Sequence, residues 1–547
     1  MARLAALLWL LSVSRLLAGE TGVVVSVSPP ATQVGMDILA RGGNAVDAAV
    51  ATGFALAVTW PEAGNIGGGG FMLIRPPGKD GEAVVVDYRE TAPAGADRNL
   101  FVRNARKPHL TVGVPGSVAG MALAHARLGK LPWKSLVEPA IRLADEGFLL
   151  DAGAAASLNE GLGMKDVTPE MRRVLGRENR TWNAGDRLVQ KDLARTLRRI
   201  DDQGADGFYK GETADRLVAD MREKGGLITR DDLANYRAKL RRPLRGTYRD
   251  HEILVPPPPS GGGIALLLAL NLLEPLDLRK EDRYSARTLH LMTEALRRAF
   301  ADRARHLGDA DFVTIPDRLI SRDYARSLLP SLALDRATRS ETLAPDIPLA
   351  GEKPNTTHYS VIDGQGMAVS TTTTLEESFG SRIMVPGAGF LLNNEMTDFN
   401  PQPGVTTRKG QVGTPANLIA PGKRMLSSMT PTIVVRDGRT VLVTGSPGGR
   451  TIISTVLGMV VNRLEYRMSL EEAVAAPRLH HQWFPDRLQV EEELARQYPE
   501  AIRQLKDMGH DVQTIRVQGD AHSIGWDGRH NRYEGVKDRR RAGRPAF

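Results

Sequence analysis

Apolar positions recur at helical spacing over 32–41, and the pattern stops at Gly42 and Gly43, residue types that end helices readily. Asn44 follows where an N-cap belongs, and an apolar-rich helical stretch runs on to about Trp60. Gly67 to Gly70 then precede an apolar strand over 71–75. Glycine in that place lets one backbone approach another closely. A dinucleotide-binding fingerprint needs its glycines after a strand and at the head of a helix, so the order here excludes it.

Between about 111 and 326, helical stretches such as 286–307 alternate with turns. The run Pro256 to Pro259, followed by Ser260 and three glycines, has a linker's composition. Apolar periodicity resumes at once over 264–273, which makes it a rigid turn inside one unit. The sharpest break in pattern lies over about 330–355, where Ser, Thr, Asp, Pro and Lys replace buried residue types; this predicts an exposed loop. Directly after it, 357–363 and 367–374 are β-rich runs joined by Gly-Gln-Gly, and 432–436 and 440–444 are joined by Asp437-Gly438. Both read as hairpins. Ser469 and Glu472 have the spacing of a capping box, opening a helix that Pro477 ends.

The 547 residues are 41% apolar and 25% charged, an ordinary globular balance in a length that sandwiched sheets can use as one compact unit. The formal charge of +8 is spread, with Lys and Arg interspersed among Asp and Glu. One dense run, Arg539, Arg540 and Arg541, reads as solvated surface, and without an aromatic-interleaved basic motif nucleic acid is not expected as a partner. The absence of cysteine excludes disulfides, a thiol nucleophile, Cys-ligated zinc and a lipid-modified cysteine. His480 and His481 lack a ligand spacing such as His-Glu-x-x-His and read as a surface pair, which speaks against a metallohydrolase. At the start, Arg3, an apolar run over 4–11, and the small residues Ala18 and Gly19 suggest a signal peptide over 1–19 and a periplasmic or secreted protein. Arg15 interrupts that pattern, and a short amphipathic helix is the other reading. No later stretch has the length and apolarity of a membrane span.

Thr356 opens a strand directly after the polar break. A threonine so placed can attack the carbonyl of the residue before it. The cut frees an amine on the same residue, with an unperturbed pKa of about 7.7 to 8.0, which can serve as general base for the adjacent hydroxyl. Such chemistry needs no histidine, metal or cofactor. Taken by itself, Asn355-Thr356-Thr357 is equally a plain strand start, since threonine is common there.

The run Thr356-Thr357-His358-Tyr359-Ser360-Val361-Ile362-Asp363 resembles the signature that opens the small subunit of gamma-glutamyltransferases. Similar blocks follow the family order at 31–34, 42–49, 63–74, 87–93, 257–263, 301–312, 391–399, 426–431 and 444–449. The resemblance implies an α/β (α+β) N-terminal-nucleophile hydrolase fold, a four-layer αββα sandwich whose precursor cuts itself between Asn355 and Thr356. The parts would be a large subunit over 20–355 and a small subunit over 356–547, held together as a heterodimer. It also implies Thr356 as nucleophile, Thr374, eighteen residues on, as the hydroxyl that orients it, and Gly448 and Gly449 as the oxyanion hole. Arg89 matches the arginine that clamps a substrate α-carboxylate, Ser427 and Ser428 add hydroxyls, and Glu395 and Asp398 suit the α-ammonium.

Two positions depart from the family. Glu376 stands where an asparagine usually receives the substrate amine, so the head-group pocket is more acidic. Lys409, in a lid-length segment over 400–424, stands where an aromatic residue commonly closes the site. The expected activity is hydrolysis of gamma-glutamyl amides such as glutathione, or transfer to an acceptor amine. Glu376 keeps open an acylase acting on other dicarboxylic amides, such as glutaryl β-lactams. A secreted binding protein without turnover is the reading from a different class.

Overall fold

The computed structural model describes residues 16–17, 22–79, 81–104, 107–178, 180–344, 350–351 and 355–540. Two antiparallel sheets form its centre. The first has six strands in the order Gly22–Val25, Asn355–Asp363, Ala368–Glu376, Gly69–Arg75, Val84–Asp87 and Lys239–Arg241. The second orders Leu16–Leu17, Arg532–Val536, Ser523–Asp527, Arg439–Thr444, Thr432–Arg436, His251–Val255 and Leu244–Tyr248. Strands far apart in the chain are neighbours in both.

Side-chain alternation explains why four layers result. In the first sheet, Val24, Met72, Ile74, Val86, Tyr359 and Val361 join one core, shared with helices Pro29–Ala40, Ala45–Thr59 and Trp133–Asp145. The intervening Val23, Val25, Phe71, Leu73, Val85 and Ile362 join a second core with the other sheet and helices Gly261–Leu273, Ala286–His306 and Thr451–Leu464. The layers therefore run helix, sheet, sheet, helix, the sandwich implied by the family resemblance. Helices Ala45–Thr59 and Gly261–Leu273 are buried along almost their whole length, which accounts for their nearly all-apolar sequences.

The seam between the sheets is polar at one end. His358 and Ser360 point into it from one strand, Ser370 and Thr372 from the next, and Thr444 and Ser523 from the opposite sheet. Thr356 and Thr374 continue these two even-numbered rows to the end of the seam.

Most local expectations hold. Asn44 caps its helix through a box with Asp47, worth about 1 kcal/mol. Ser469 and Glu472 do the same at Leu470–Ala475, and both hairpins form. Residues 330–344 are mostly exposed, as the polar break predicts, with Leu332, Ser340 and Ala344 buried and the Trp483 indole donating to Ser340 O at 2.8 Å. Two expectations need correction. His480 and His481 are buried rather than on the surface: His480 is hydrogen-bonded to Ser454 Oγ and Gln482 Oε1, and His481 to Asp486. Burial first of all drives their pKa values down, to about 3 and about 4. Arg540 also folds inward, against Glu491 at 2.8 Å and Asp538 at 3.2 Å, while Arg539 is exposed and Arg541 lies outside the described residues. The signal-peptide reading over 1–19 lies outside the described residues except for Leu16 and Leu17, which pair with Gly535 and Glu534. No helix among the described residues is long and apolar enough to cross a membrane.

Candidate active site

Thr357 pairs with Thr373 and Asn355 with Glu376, so the single residue Thr356 faces two, Thr374 and Leu375. This bulge bends the strand pair at the end of the polar seam. The glycine run beside it makes the pairing possible: a Cβ on Gly68 would lie 2.0 Å from Thr374 O, and one on Gly70 2.3 Å from Thr372 O. Asn65 locks the arrangement by donating to Thr374 O at 2.9 Å while its own Oδ1 accepts from the Gly68 amide and the Ser117 hydroxyl. His358, two residues beyond Thr356, is hydrogen-bonded to Thr372 and Ser360, and burial holds its pKa well below the usual imidazole range. It is placed as a neutral structural group.

Thr356, only 4% exposed, lines a cavity of about 600 Å³ including its open mouth. Arg89, Thr374, Glu376, Glu395, Asp398, Ser427, Ser428 and Gly449 line the same cavity. Residues up to 360 positions apart thus line one cavity. Gly448 adjoins this lining. Gly448 and Gly449 have φ of 123° and 56°, values that only glycine adopts freely, and they lead into helix Thr451–Leu464. Its N-terminus brings partial positive charge to the cavity through Gly449, Arg450 and Ile452.

The head-group region is built on Arg89, 1% exposed. Its Nε donates to Met425 O at 3.2 Å, and its Nη atoms lie 2.5 Å from both Glu395 and Asp398 and 3.4 Å from Glu90. Glu376, at φ 81°, bonds through its carboxylate to Asn394, and its amide donates to the Thr374 hydroxyl at 2.7 Å. Three carboxylates, those of Glu90, Glu395 and Asp398, therefore surround one guanidinium, and Glu376 lies near Asp398 and Glu395. Burial, then the charges of Asp398 and Glu395, raise Glu376 well above the carboxylate range. Burial also raises Glu395; Arg89 opposes this, but Glu90 and Asp398 add to it, and the net shift is well upward. Glu90 is pushed up to about 7 by burial in spite of Arg89. Neighbouring Asp87 is different, being paired with Arg241 at 2.7 Å. Ser427 Oγ accepts from the Met429 amide at 3.1 Å, and Ser428 Oγ from Arg303 Nη2 at 2.9 Å.

Sequence reasoning passed over several lining residues. Arg303 fell inside a block matched at 301–312, and its signal was a cation on a helix whose other residues are mostly buried. Arg450 follows the two glycines directly and donates to Gly410 O at 2.8 Å. Asn417 donates to Asp398 O and accepts from the Leu426 amide, joining the two halves of the head-group region. Nothing local in the sequence marks that bridge. Lys409 is exposed and is not part of the lining.

Among the described residues, one group of possible metal ligands comes together away from the cavity: His290, Glu294 and His510. Glu294 is taken by Arg297 at 3.0 Å and Arg298 at 2.6 Å, and two guanidiniums beside it work against a bound cation.

The layered sheets, with a buried threonine at the head of a central strand and Gly449 lining the same cavity, define an N-terminal-nucleophile hydrolase. A crystal structure of cephalosporin acylase from Bacillus halodurans shares this fold, with a TM-score of 0.84 and 24% identity, covering 96% of this chain and 95% of that one. The sequence model of the family Gamma-glutamyltranspeptidase matches residues 31–547, so the chain belongs to that family and is an enzyme of the gamma-glutamyltransferase kind. Glutathione hydrolase proenzyme of Escherichia coli (strain K12) is 45% identical over 515 residues, 92% of this chain and 88% of the relative. Acylase ACY 1 proenzyme of Pseudomonas sp. (strain SE83) is 38% identical over 528 residues, 93% of this chain and 90% of the relative.

Proposed function

We propose that the chain is a gamma-glutamyl hydrolase and transferase that cleaves glutathione and related gamma-glutamyl amides. The observation that carries this reading is the cluster at Arg89: Glu395 and Asp398 each lie 2.5 Å from its guanidinium, and Glu376 lines the same cavity as these three and Thr356. An α-amino acid head group brings one charge of each sign to such a pocket. Its ammonium meets Glu376, Glu395 and Asp398, and its carboxylate meets Arg89, Ser427 and Ser428.

In this mechanism the Thr356 hydroxyl first attacks the carbonyl of Asn355. The peptide becomes an ester, and water cleaves it to leave a large subunit, 20–355, and a small subunit, 356–547, that stay associated. The freed Thr356 amine then takes the proton from the Thr356 hydroxyl as that oxygen attacks the substrate δ-carbonyl. Gly448 and Gly449 amides receive the developing oxyanion, a contribution of about 3 kcal/mol per donor in comparable sites. Thr374, anchored by the Glu376 amide, orients the nucleophile. The leaving amine departs with a proton, and water or an acceptor amine releases the glutamyl group. The N-terminal sequence pattern supports export to the periplasm or medium.

The test is a denaturing gel with intact mass for wild type and Thr356→Ala, together with nitroaniline release from a gamma-glutamyl anilide. Two fragments meeting at Asn355/Thr356, and loss of both cleavage and turnover in the variant, are expected. An uncut wild type that binds glutamate without turnover would overturn the reading in favour of a binding protein. Glu376 and the acylase relative favour a second reading, hydrolysis of glutaryl amides by the same nucleophile. Faster turnover of a glutaryl than of a gamma-glutamyl anilide would establish it.

A further inference from the structure

We infer that Arg303 is a positioning residue for carboxylate recognition, holding the Ser428 hydroxyl so that its hydrogen points to an anion in the cavity. This rests on the reading above, in which the head-group carboxylate lies against Ser427 and Ser428.

Arg303 comes from helix Ala286–His306, is 8% exposed and lines the cavity. Its Nη2 lies 2.9 Å from Ser428 Oγ. A guanidinium has donors and no acceptor, whereas a hydroxyl has one hydrogen and two lone pairs, so the direction of this bond is fixed. Ser428 accepts, and its own hydrogen must go elsewhere. Ser427 reaches the same polarity by another route, since its Oγ accepts from the Met429 amide at 3.1 Å. Two adjacent hydroxyls are thus both set as donors, one by the main chain and one by Arg303. That pairing matches a ligand with two acceptor oxygens and no hydrogen to give. Gly261 leaves room for the guanidinium: a Cβ there would stand 3.1 Å from Arg303 Nε. Because the preset comes from a separate helix, it can be removed without altering the backbone that carries the serines.

The experiment uses the full-length, self-processed enzyme and two anilides that differ in one group: gamma-glutamyl, and 4-aminobutyryl, which lacks the α-carboxylate. Arg303→Gln is expected to raise KM for the gamma-glutamyl anilide about tenfold, with kcat within about threefold and kcat/KM for the 4-aminobutyryl anilide unchanged. In a Ser428→Ala background the same substitution is expected to add less than about twofold. Equal losses on both anilides, or effects of the two substitutions that simply multiply, would overturn the assignment. Arg303→Lys keeps the charge and serves if Arg303→Gln does not fold; a rise in KM of about threefold, seen only with Ser428 present and only on the carboxylate substrate, is expected. If the wild type turns over glutaryl but not gamma-glutamyl anilide, the gamma-glutamyl reading fails and Arg303 is judged on glutaryl against butyryl anilide by the same ratios. If it turns over neither, glutamate binding must weaken about tenfold in Arg303→Gln, or the assignment fails.

Discussion

Two of the charge clusters among the described residues, one at Glu294 and one at Arg89, are built to opposite ends. Around Glu294, two carboxylates meet two guanidiniums: Glu294 with Arg297 and Arg298, and Asp486 with Arg297 and His481. Burial alone would raise Glu294, but Arg297, Thr338 and Arg298 outweigh it and hold the carboxyl down to about 2. Asp486 is likewise held below the usual range, His481 and Arg297 overcoming burial. The same cluster fastens the segment leading toward Thr356, since Ser340 gives its amide to Asp486 and Thr338 its amide to Glu294. Around Arg89, by contrast, the carboxylates outnumber the cation, and Glu376 and Glu395 are shifted upward. A cluster that holds the fold together is satisfied when the chain folds. Under the proposed function, the cluster at Arg89 is left short of the charge its ligand brings.

The largest expected effect sets the two directly against each other. Arg89→Gln should lower kcat/KM for a gamma-glutamyl anilide about a hundredfold or more, because the substrate carboxylate loses its guanidinium. Arg297→Gln should instead cost about 3 to 5 kcal/mol in unfolding free energy, leaving kcat/KM of the folded fraction within about threefold. A loss of turnover in Arg297→Gln at unchanged stability would break the distinction.

pH should separate the clusters next. The lowered Glu294 contributes stability that is present above its unfolded pKa and lost as pH falls through about 2. The raised Glu376 behaves with the opposite sign: its contribution is present below the unfolded value and lost as pH rises through its elevated folded value. Glu376→Gln carries no such dependence. Its stability relative to wild type should therefore improve between pH 5 and pH 9, by about 1 kcal/mol or more, measured by urea unfolding at each pH. A constant difference across that range would remove Glu376 from the acidic cluster.

The smallest effect concerns the segment 400–424, which neither cluster closes with an aromatic residue. With glycylglycine as acceptor, wild type should form mostly free glutamate, and Lys409→Tyr should shift the product ratio toward transfer by about two- to threefold. Mostly transpeptidation in wild type would show that exposed Lys409 does not leave the site wet.

Much of this site could be read from the chain. The hairpin 355–376 places Thr356 and Thr374 on one face because side chains alternate along strands, and the glycine run beside it signals a close backbone approach. Other features ran against their local pattern. His480, His481 and Arg540 are polar and read as surface, yet each is folded inward against a polar or charged partner.

By itself the sequence determined the caps, the hairpins, the exclusion of cysteine chemistry and the blocks that mark the family, since each depends on residues within a few positions of one another. Only the tertiary structure decided which charges are balanced and which are left wanting. Arg89, Arg303, Glu395 and Ser428 come from separate elements, and a carboxylate's charge state depends on burial and on neighbours within a few ångströms, quantities that exist only once the chain has folded.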